Sequence, residues 1–353
     1  MGKRLFAGID LGERSVKLAV VDASGKQPKL VAADVEPIER SDAASSEAAP
    51  GRVRAWQRAI ESLLNRGAVR PRALDRVSLG VSGDSVTVRQ FDLPILSDRE
   101  LASSMPHESR RHVPLPPETE IALSYQVLTR DTAKERMEIL LGACPKRLVR
   151  DAVGSAEAAG LECEIVDVAP LAALNAIIHA HDPDAARGDF AFLDVGGTGS
   201  TLTLYKRDEF LLCRRIALGG DAMTSEMARK LGVSFEEAER GKCANADSRG
   251  ATRISLIQET IAQLGSEITT TMSFFANKTG AESAEALAIG GGGSHTPGLA
   301  EVLEGMIGRP VRHVAPLAAF AIQRPPGGPH GGARADADSE FAVALGLTRW
   351  WQS

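Results

Sequence analysis

The sequence predicts a duplicated α/β fold of two lobes, with an α+β subdomain inserted into the first. Three observations predict it. At 353 residues the chain exceeds what one hydrophobic core usually organises. Each half opens with an apolar strand ending in Asp-x-Gly, then a small or polar turn and a returning strand, which is the mark of an internal repeat. Between the two, residues 85–160 read as strand, helix, strand, strand, helix, a pattern that belongs to neither repeat.

In the first half, Leu5–Leu11 and Val16–Asp22 form a hairpin around Gly12-Glu13-Arg14-Ser15. A Ser/Ala/Pro-rich surface loop covers Ser41–Gly51, and Trp56, Ile60, Leu63 and Leu64 then mark one face of a helix. Arg76–Ser82 reads as a buried strand. In the insert, Ser97 and Glu100 make a capping box, while Pro106 should kink that helix or end its first half. Ile121, Leu123, Tyr125 and Val127 alternate, as do Met137, Ile139 and Leu141, giving two strands. Val166–His181 contains a helix closed by the turn Asp182-Pro183-Asp184.

The second half repeats the opening with Phe190–Val195, Thr201–Tyr205 and Phe210–Ala217. Helices follow over Asp221–Leu231, after the cap Ser234/Glu237, and as one long element from Arg253 to Thr279. Strand Ala286–Ile289 runs into Gly290–Gly293, followed by helix Gly298–Ile307 and strand Val311–Val314. Arg324–Arg334, rich in Pro and Gly, reads as mobile, and Ser339 caps a last helix.

Composition narrows the function classes. The net charge of -5, with 4% aromatic residues and no basic stripe, gives no footprint for nucleic acid. No stretch reaches 18 apolar residues, so no direct membrane insertion is expected and any membrane role comes through a partner. The four cysteines are far apart and read as buried thiols in a reducing, cytoplasmic setting. The seven histidines show no metal-ligand spacing, and neither a P-loop, a nucleophile elbow nor a dinucleotide fingerprint occurs.

Two Asp-x-Gly turns and one Gly-rich turn carry the chemistry. Asp10-Leu11-Gly12 and Asp194-Val195-Gly196 each end a buried strand with a carboxylate beside glycines that let backbone approach a ligand. Such turns aim N–H groups at phosphate oxygens while the carboxylates hold a hydrated Mg²⁺. Singly, each is more often a plain hairpin turn. Two in matching contexts, with Gly290–Gly293 between a strand and a helix, read together as a nucleotide clamp. Glu239 and Lys242 lie three apart and share a helix face; in isolation they are a surface ion pair, and in a nucleotide lobe they are candidate ribose and adenine contacts. Asp167 ends a strand before a helix, where it either positions an attacking water or caps that helix. Asp167 and Asp194 are the candidate catalytic carboxylates.

These segments resemble the actin-like superfamily of sugar kinases, chaperone ATPases, actin and FtsA, and within it the PilM family of type IV pilus assembly proteins. The resemblance runs through GIDLGERSVKLAVVD at 8–22, residues 93–128, FLDVGGTGSTLTL at 192–204, residues 214–242, residues 288–311 and FAVALGLTRW at 341–350. Residues 93–128 discriminate most, because they resemble the inserted subdomain shared by PilM and FtsA. The resemblance implies an actin-like, ribonuclease H-like duplicated α/β ATPase fold. It also implies a division into residues 1–84 with 161–185 and a C-terminal helix at 339–353, the insert at 85–160, and a second lobe at 186–218, 219–252 and 253–338.

By the same resemblance ATP or ADP with Mg²⁺ would be the cofactor, with or without slow hydrolysis. Asp10, Gly12 and Ser15, flanked by Glu13, Arg14 and Lys17, would form the first phosphate turn, and Asp194, Gly196, Gly197 and Thr198 the second. Gly290, Gly291, Gly292, Gly293 and Ser294 would form the adenosine turn. Glu239 and Lys242 would contact the nucleoside, Gly219 and Gly220 would also bind the cofactor, and Asp10 and Asp194 would hold the metal. The chain departs from the family's pattern at Glu13-Arg14, where small hydroxyl residues are usual, and at Pro106.

The implied partner is the cytoplasmic tail of a PilN-like inner-membrane protein, with other pilus machine components beside it and room for self-association. The partner groove would be walled by the strand carrying Val86, Val88 and Phe91, whose edge suits an extended peptide; the valines read equally well as ordinary core. The alternatives are a sugar-type kinase on the same fold and an FtsA-like filament former, the latter lacking here the basic amphipathic tail it would need.

Overall fold

The computed structural model describes residues 4–38, 50–67, 69–178, 190–206, 209–243, 250–279, 284–322 and 335–352. The chain opens with the expected hairpin, β1 (Leu5–Leu11) against β2 (Ser15–Asp22), and continues antiparallel into β3 (Lys29–Pro37). Val16, Leu18, Ala19, Val20 and Val21 are all buried, so β2 is covered on both faces and reads as a continuous apolar run. Helix α1 (Pro50–Arg66) buries Trp56, Ala59, Ile60, Leu63 and Leu64. It takes in Pro50 and Gly51, which the sequence assigned to the loop; the rest of that loop's core, 41–49, lies outside the described residues.

Strand β4 (Arg76–Val81) pairs parallel with β1, and β8 (Ile165–Val168) pairs parallel with β4. In the second half β9 (Phe190–Val195), β10 (Ser200–Lys206) and β11 (Glu209–Ile216) form an antiparallel run, extended in parallel by β12 (Leu287–Gly290) and β13 (Val311–His313). The strand orders are β3-β2-β1-β4-β8 and β11-β10-β9-β12-β13, the same order twice. The first sheet gains one more strand at its edge, β14 (Ala321–Ile322) beside β3. The duplication inferred from two Asp-x-Gly turns is thus a duplication of whole sheets.

The insert supplies a third sheet, in which β7 (Arg136–Pro145) lies between β5 (Thr87–Pro94) and β6 (Ile121–Asp131). Helix α2 (Asp98–His112) covers it by packing Leu101 and Met105 on Met137, Ile139 and Leu141. The Ser97/Glu100 capping box is present. The helix does not stop at Pro106 but continues to His112, because the buried Met105 and Ser109 fix both of its halves on the sheet. Helix α3 (Lys146–Ala158) closes the 85–160 block, but its Leu148, Ala152 and Ala156 join Trp56 and Ile60 in the first lobe's core.

Between the lobes run α4 (Ala169–Ile178) and α10 (Ala342–Leu347), the latter numbered after the remaining helices: α5 (Gly220–Leu231), α6 (Phe235–Cys243), α7 (Gly250–Leu256), α8 (Gln258–Thr279) and α9 (Leu299–Ile307). The single long helix expected over 253–279 is two. Glu226 of α5 accepts from the Thr260 backbone N–H at 3.0 Å and its hydroxyl at 2.6 Å, capping α8 in its first turn. Buried Ile257 fills the break. Ser339 does not cap the last helix; it sits in a 3₁₀ turn over 335–341, and α10 starts behind Phe341 without a side-chain cap. Cys144 and Cys213 are buried as expected, whereas Cys243 is exposed at the end of α6. The turn at 182–184, His179 and His181, and the Pro/Gly-rich 324–334 lie outside the described residues.

The α4–α10 crossing is very close. Ala169, Ala172, Ala173 and Ala176 place a stripe of small residues on one face of α4, and a Cβ at Gly346 would stand 1.7 Å from the Ala172 carbonyl oxygen. We expect Gly346→Ala to cost at least about 1–3 kcal/mol by overpacking, visible as a lower midpoint in chemical denaturation. Gly154→Ala, in open space on α3, should be neutral or stabilising. Equal midpoints for the two variants would contradict the crossing.

Candidate nucleotide site between the lobes

The strand register brings chemistry to the bottom of the cleft. Asp10 lies opposite Lys17 across the β1–β2 hairpin, and the Lys17 ammonium donates to the Asp10 carboxylate at 3.0 Å, both side chains being almost wholly buried. From the other lobe, Asp194 pairs in register with Gly290 of β12. Its carboxyl is raised to about 6, first by burial and then by the neighbouring Asp10 charge, with Lys17 and Arg215 opposing. Burial pulls the Lys17 ammonium down, but Asp10, Asp194 and Glu340 together hold it above its ordinary value. Glu340 is itself raised by burial and lies in the same field. One buried ammonium thus serves three carboxylates.

The three turns converge on this charge set. In the first, the Trp56 indole donates to the Gly12 carbonyl at 2.9 Å, tying the turn to α1. Arg14 leaves the turn and crosses to the second lobe, donating through Nε to both oxygens of Asp221 at 2.9 and 3.0 Å. Its guanidinium lies over the Phe235 ring at 5.4 Å. Glu13 instead faces Gly83 at the end of β4. In the second turn the Gly196 and Gly197 carbonyls accept from the Gly220 and Asp221 N–H groups at 2.9 and 2.8 Å, which fixes Gly219-Gly220 and the start of α5 against it. Thr198 accepts from Arg215 at 2.9 Å, and Arg215 also bonds Asp84 of the first lobe at 2.9 Å.

The third turn packs edge-on against the second. A Cβ at Gly291, where φ is +80°, would stand 2.2 Å from an Asp194 carboxylate oxygen, so glycine is required there by both conformation and space. Gly290 and Gly293 are equally crowded by protein atoms, and Gly292 is the open one, facing Glu340. Ser294 is buried and donates to the Gly291 carbonyl at 2.7 Å, closing the turn on itself.

Lys242 and Glu239 share a face as the spacing predicts, and they pair at 2.9 Å. Lys242 also donates to the Gly220 carbonyl and the Thr224 hydroxyl, at 3.0 and 2.8 Å, so it anchors α6 on α5. Burial raises the Glu239 carboxyl, but Lys242 and Thr224 outweigh it and leave the group below its ordinary range. Asp167 lies in register with Gly80 and so two strands from Asp10; no hydrogen bond joins it to Asp10 or Asp194 among the described residues. It accepts from its own Val168 N–H at 2.7 Å, and burial raises its carboxyl.

Val86, Val88 and Phe91 are not gathered on one wall. Val86 packs on the first lobe's core, Val88 is buried with Leu174, Tyr205 and Phe210 between the lobes, and Phe91 stacks on His112 at 3.7 Å. Val86 and Val88 do border a cavity of about 250 Å³ between β5 and β11, together with Asp84, Arg89 and Arg215.

A family model described as type IV pilus assembly protein PilM matches residues 8–349. The chain belongs to that family. The structure aligns over 98% of this chain and 97% of the other with a PilM-PilN type IV pilus biogenesis complex, at a TM-score of 0.80 and 26% identity. The ethanolamine utilization protein EutJ of Carboxydothermus hydrogenoformans shares the fold at a TM-score of 0.57 over 99% of this chain and 90% of the other, with 14% identity. A curated relative, the cell division protein FtsA of Bacillus subtilis (strain 168), is 30% identical over 97 residues, 28% of this chain. That match spans 21% of the FtsA length. The fold of this PilM-family chain is the actin-like α/β fold that the sequence resemblance implies. No helix among the described residues is long and apolar enough to cross a membrane.

Sequence reasoning missed Glu340, Asp221, Trp56, Asp84 and Arg215. Each reaches the site from a distant segment and carries no local motif; only Asp221, directly after Gly219-Gly220, sits where a motif could have flagged it. Removing the buried Lys17 ammonium tests the charge set. We expect Lys17→Met to cost about 3–5 kcal/mol at neutral pH, because Asp10 and Asp194 lose their counter-charge. With folded-state carboxyl values raised, that penalty is present at high pH and shrinks as pH falls through about 6, the value of Asp194. Denaturation of both proteins at several pH values measures it; a gap that widens toward acid would contradict the arrangement.

Proposed function

We propose that this PilM-family chain binds ATP or ADP with Mg²⁺ between its lobes and the cytoplasmic tail of a PilN-like inner-membrane protein, coupling nucleotide state to assembly of the pilus machine. One observation carries the nucleotide reading: both Asp-x-Gly turns and the Gly290–Gly293 turn meet at a buried set of three carboxylates and one ammonium. The donor set fits a hard cation. Two carboxylates are what Mg²⁺ usually takes from a protein, with phosphate and water completing the shell. Asp10 and Asp194 would hold it, and its role would be to neutralise phosphate charge.

The chain's own residues divide the remaining work. Lys17 pairs with Asp10 in a buried place, and the turn backbones supply N–H groups for phosphate oxygens. Gly292, next to Glu340, is where a ligand approaches the third turn most freely. Glu239 and Lys242 support the nucleoside side by fixing α6 on α5. Asp167 bears on hydrolysis only through water, given its distance from the other carboxylates.

The partner reading is supported by family membership and by the alignment with a PilM-PilN complex along nearly the whole of both chains. Isothermal titration with Mg-ATP should show binding by the wild-type chain and a loss of about a hundredfold or more for Asp194→Ala. The variant should keep its fold, since a buried carboxyl that is costly to ionise has been removed. Unchanged affinity would refute the metal role of Asp194. A synthetic PilN-like tail peptide should bind the wild-type chain, and failure of every such peptide would refute the partner reading.

A further inference from the structure

Arg14 stands in the first Asp-x-Gly turn, and its surroundings show what it can do. The side chain rises from the first turn and lies along the second so closely that a Cβ at Gly197 would stand 2.3 Å from its Cγ. Its head is held on two sides, by bidentate pairing with Asp221 and by the Phe235 ring. These bonds use Nε and Nη2; among the described residues no acceptor bonds Nη1. The pair is not sealed away, the side chains being 26% and 22% exposed. A guanidinium that starts in the first Asp-x-Gly turn, packs along the second and is oriented by Asp221 thus keeps one donor edge unused by these bonds.

We propose that Arg14 reads the outermost phosphate of a bound nucleotide and that Asp221 is its positioning residue, so that the pair discriminates nucleoside triphosphate from diphosphate. This rests on the nucleotide reading above. The planar fork keeps its two bonds to Asp221 and offers Nη1 to a phosphate oxygen, an arrangement that a lysine or a free arginine would not pre-organise. Glu13, turned toward Gly83, stays clear of that oxygen. The long side chain at position 14 thus supplies the charge-assisted bond.

Equilibrium titration of the full chain with Mg-ATP and with Mg-ADP tests it, using Arg14→Gln, Arg14→Lys, Asp221→Asn and the double variant Arg14→Gln with Asp221→Asn. Arg14→Gln should weaken ATP by about tenfold and leave ADP within about twofold. Asp221→Asn should weaken ATP by about threefold with ADP unchanged, Arg14→Lys should not restore the ATP preference, and the double variant should be no worse than Arg14→Gln alone, since the residues act as one unit. Equal losses for ATP and ADP would overturn the proposal and leave the pair as a brace between lobes. So would additive losses, or tighter ATP binding by Asp221→Asn. If Asp221→Asn does not fold, Asp221→Ser, which keeps a polar group in the first turn of α5, takes its place with the same expectations. Failure of the wild-type chain to bind either nucleotide would overturn the nucleotide reading itself, and this proposal with it.

Discussion

The contact on which the rest of this structure depends is the crossing of α4 and α10. Two sheets of identical strand order cannot share one core unless something packs on both, and these two helices do so. Phe192 of the second sheet joins the α4–α10 cluster, while Ala19 and Val21 of the first sheet join α10 through Ala344 and Leu345. Gly346 lets the helix backbones come nearly into contact, and Gly8 lets β1 approach the Ala344 carbonyl. Separation of the lobes is thereby short and fixed at its base. Asp10 and Asp194, which end the corresponding first strands of the two sheets, consequently fall close enough for their charges to interact.

From that base the cleft is closed higher up by charge. Arg14 of the first lobe meets Asp221 of the second, and Arg215 of the second meets Asp84 of the first. Each pair touches the second Asp-x-Gly turn, one by packing on Gly197 and the other by bonding Thr198. Partly exposed ion pairs contribute little net stability, so these pairs orient their guanidinium groups more than they hold the lobes together. The apolar cluster of Val88, Leu174, Tyr205 and Phe210 ties the inserted layer to both lobes beside them. That cluster lies beside the cavity bordered by Val88 and Cys213.

Much of the fold was legible because the repeat is written in short-range signals: period-two apolar strands, Asp-x-Gly turns, a capping box at Ser97. The conserved order of whole sheets could not be read, since pairing partners such as β1 with β4 are separated by an entire helix. Breaks of pattern were misjudged where tertiary contacts decided them. Glu226 caps α8 from outside its own segment, and Pro106 is carried by burial on either side of it. At the site, Asp10, Lys17, Asp194 and Gly291 are brought together, Glu13 turns toward Gly83, and Asp167 lies on a strand two removed from β1. The groove candidates Val86, Val88 and Phe91 serve three different cores, because Val86 precedes β5, and Val88 and Phe91, three residues apart, fall on opposite faces of it.

The central claim is that three turns from two lobes act as one clamp on a nucleotide. Amide hydrogen exchange on the full chain, with and without Mg-ATP, tests it most directly. Simultaneous protection of residues 12–15, 196–198 and 290–293 is the predicted result, with the interior of β6 and β7 little changed. Protection at only one turn, or at none, would contradict the clamp.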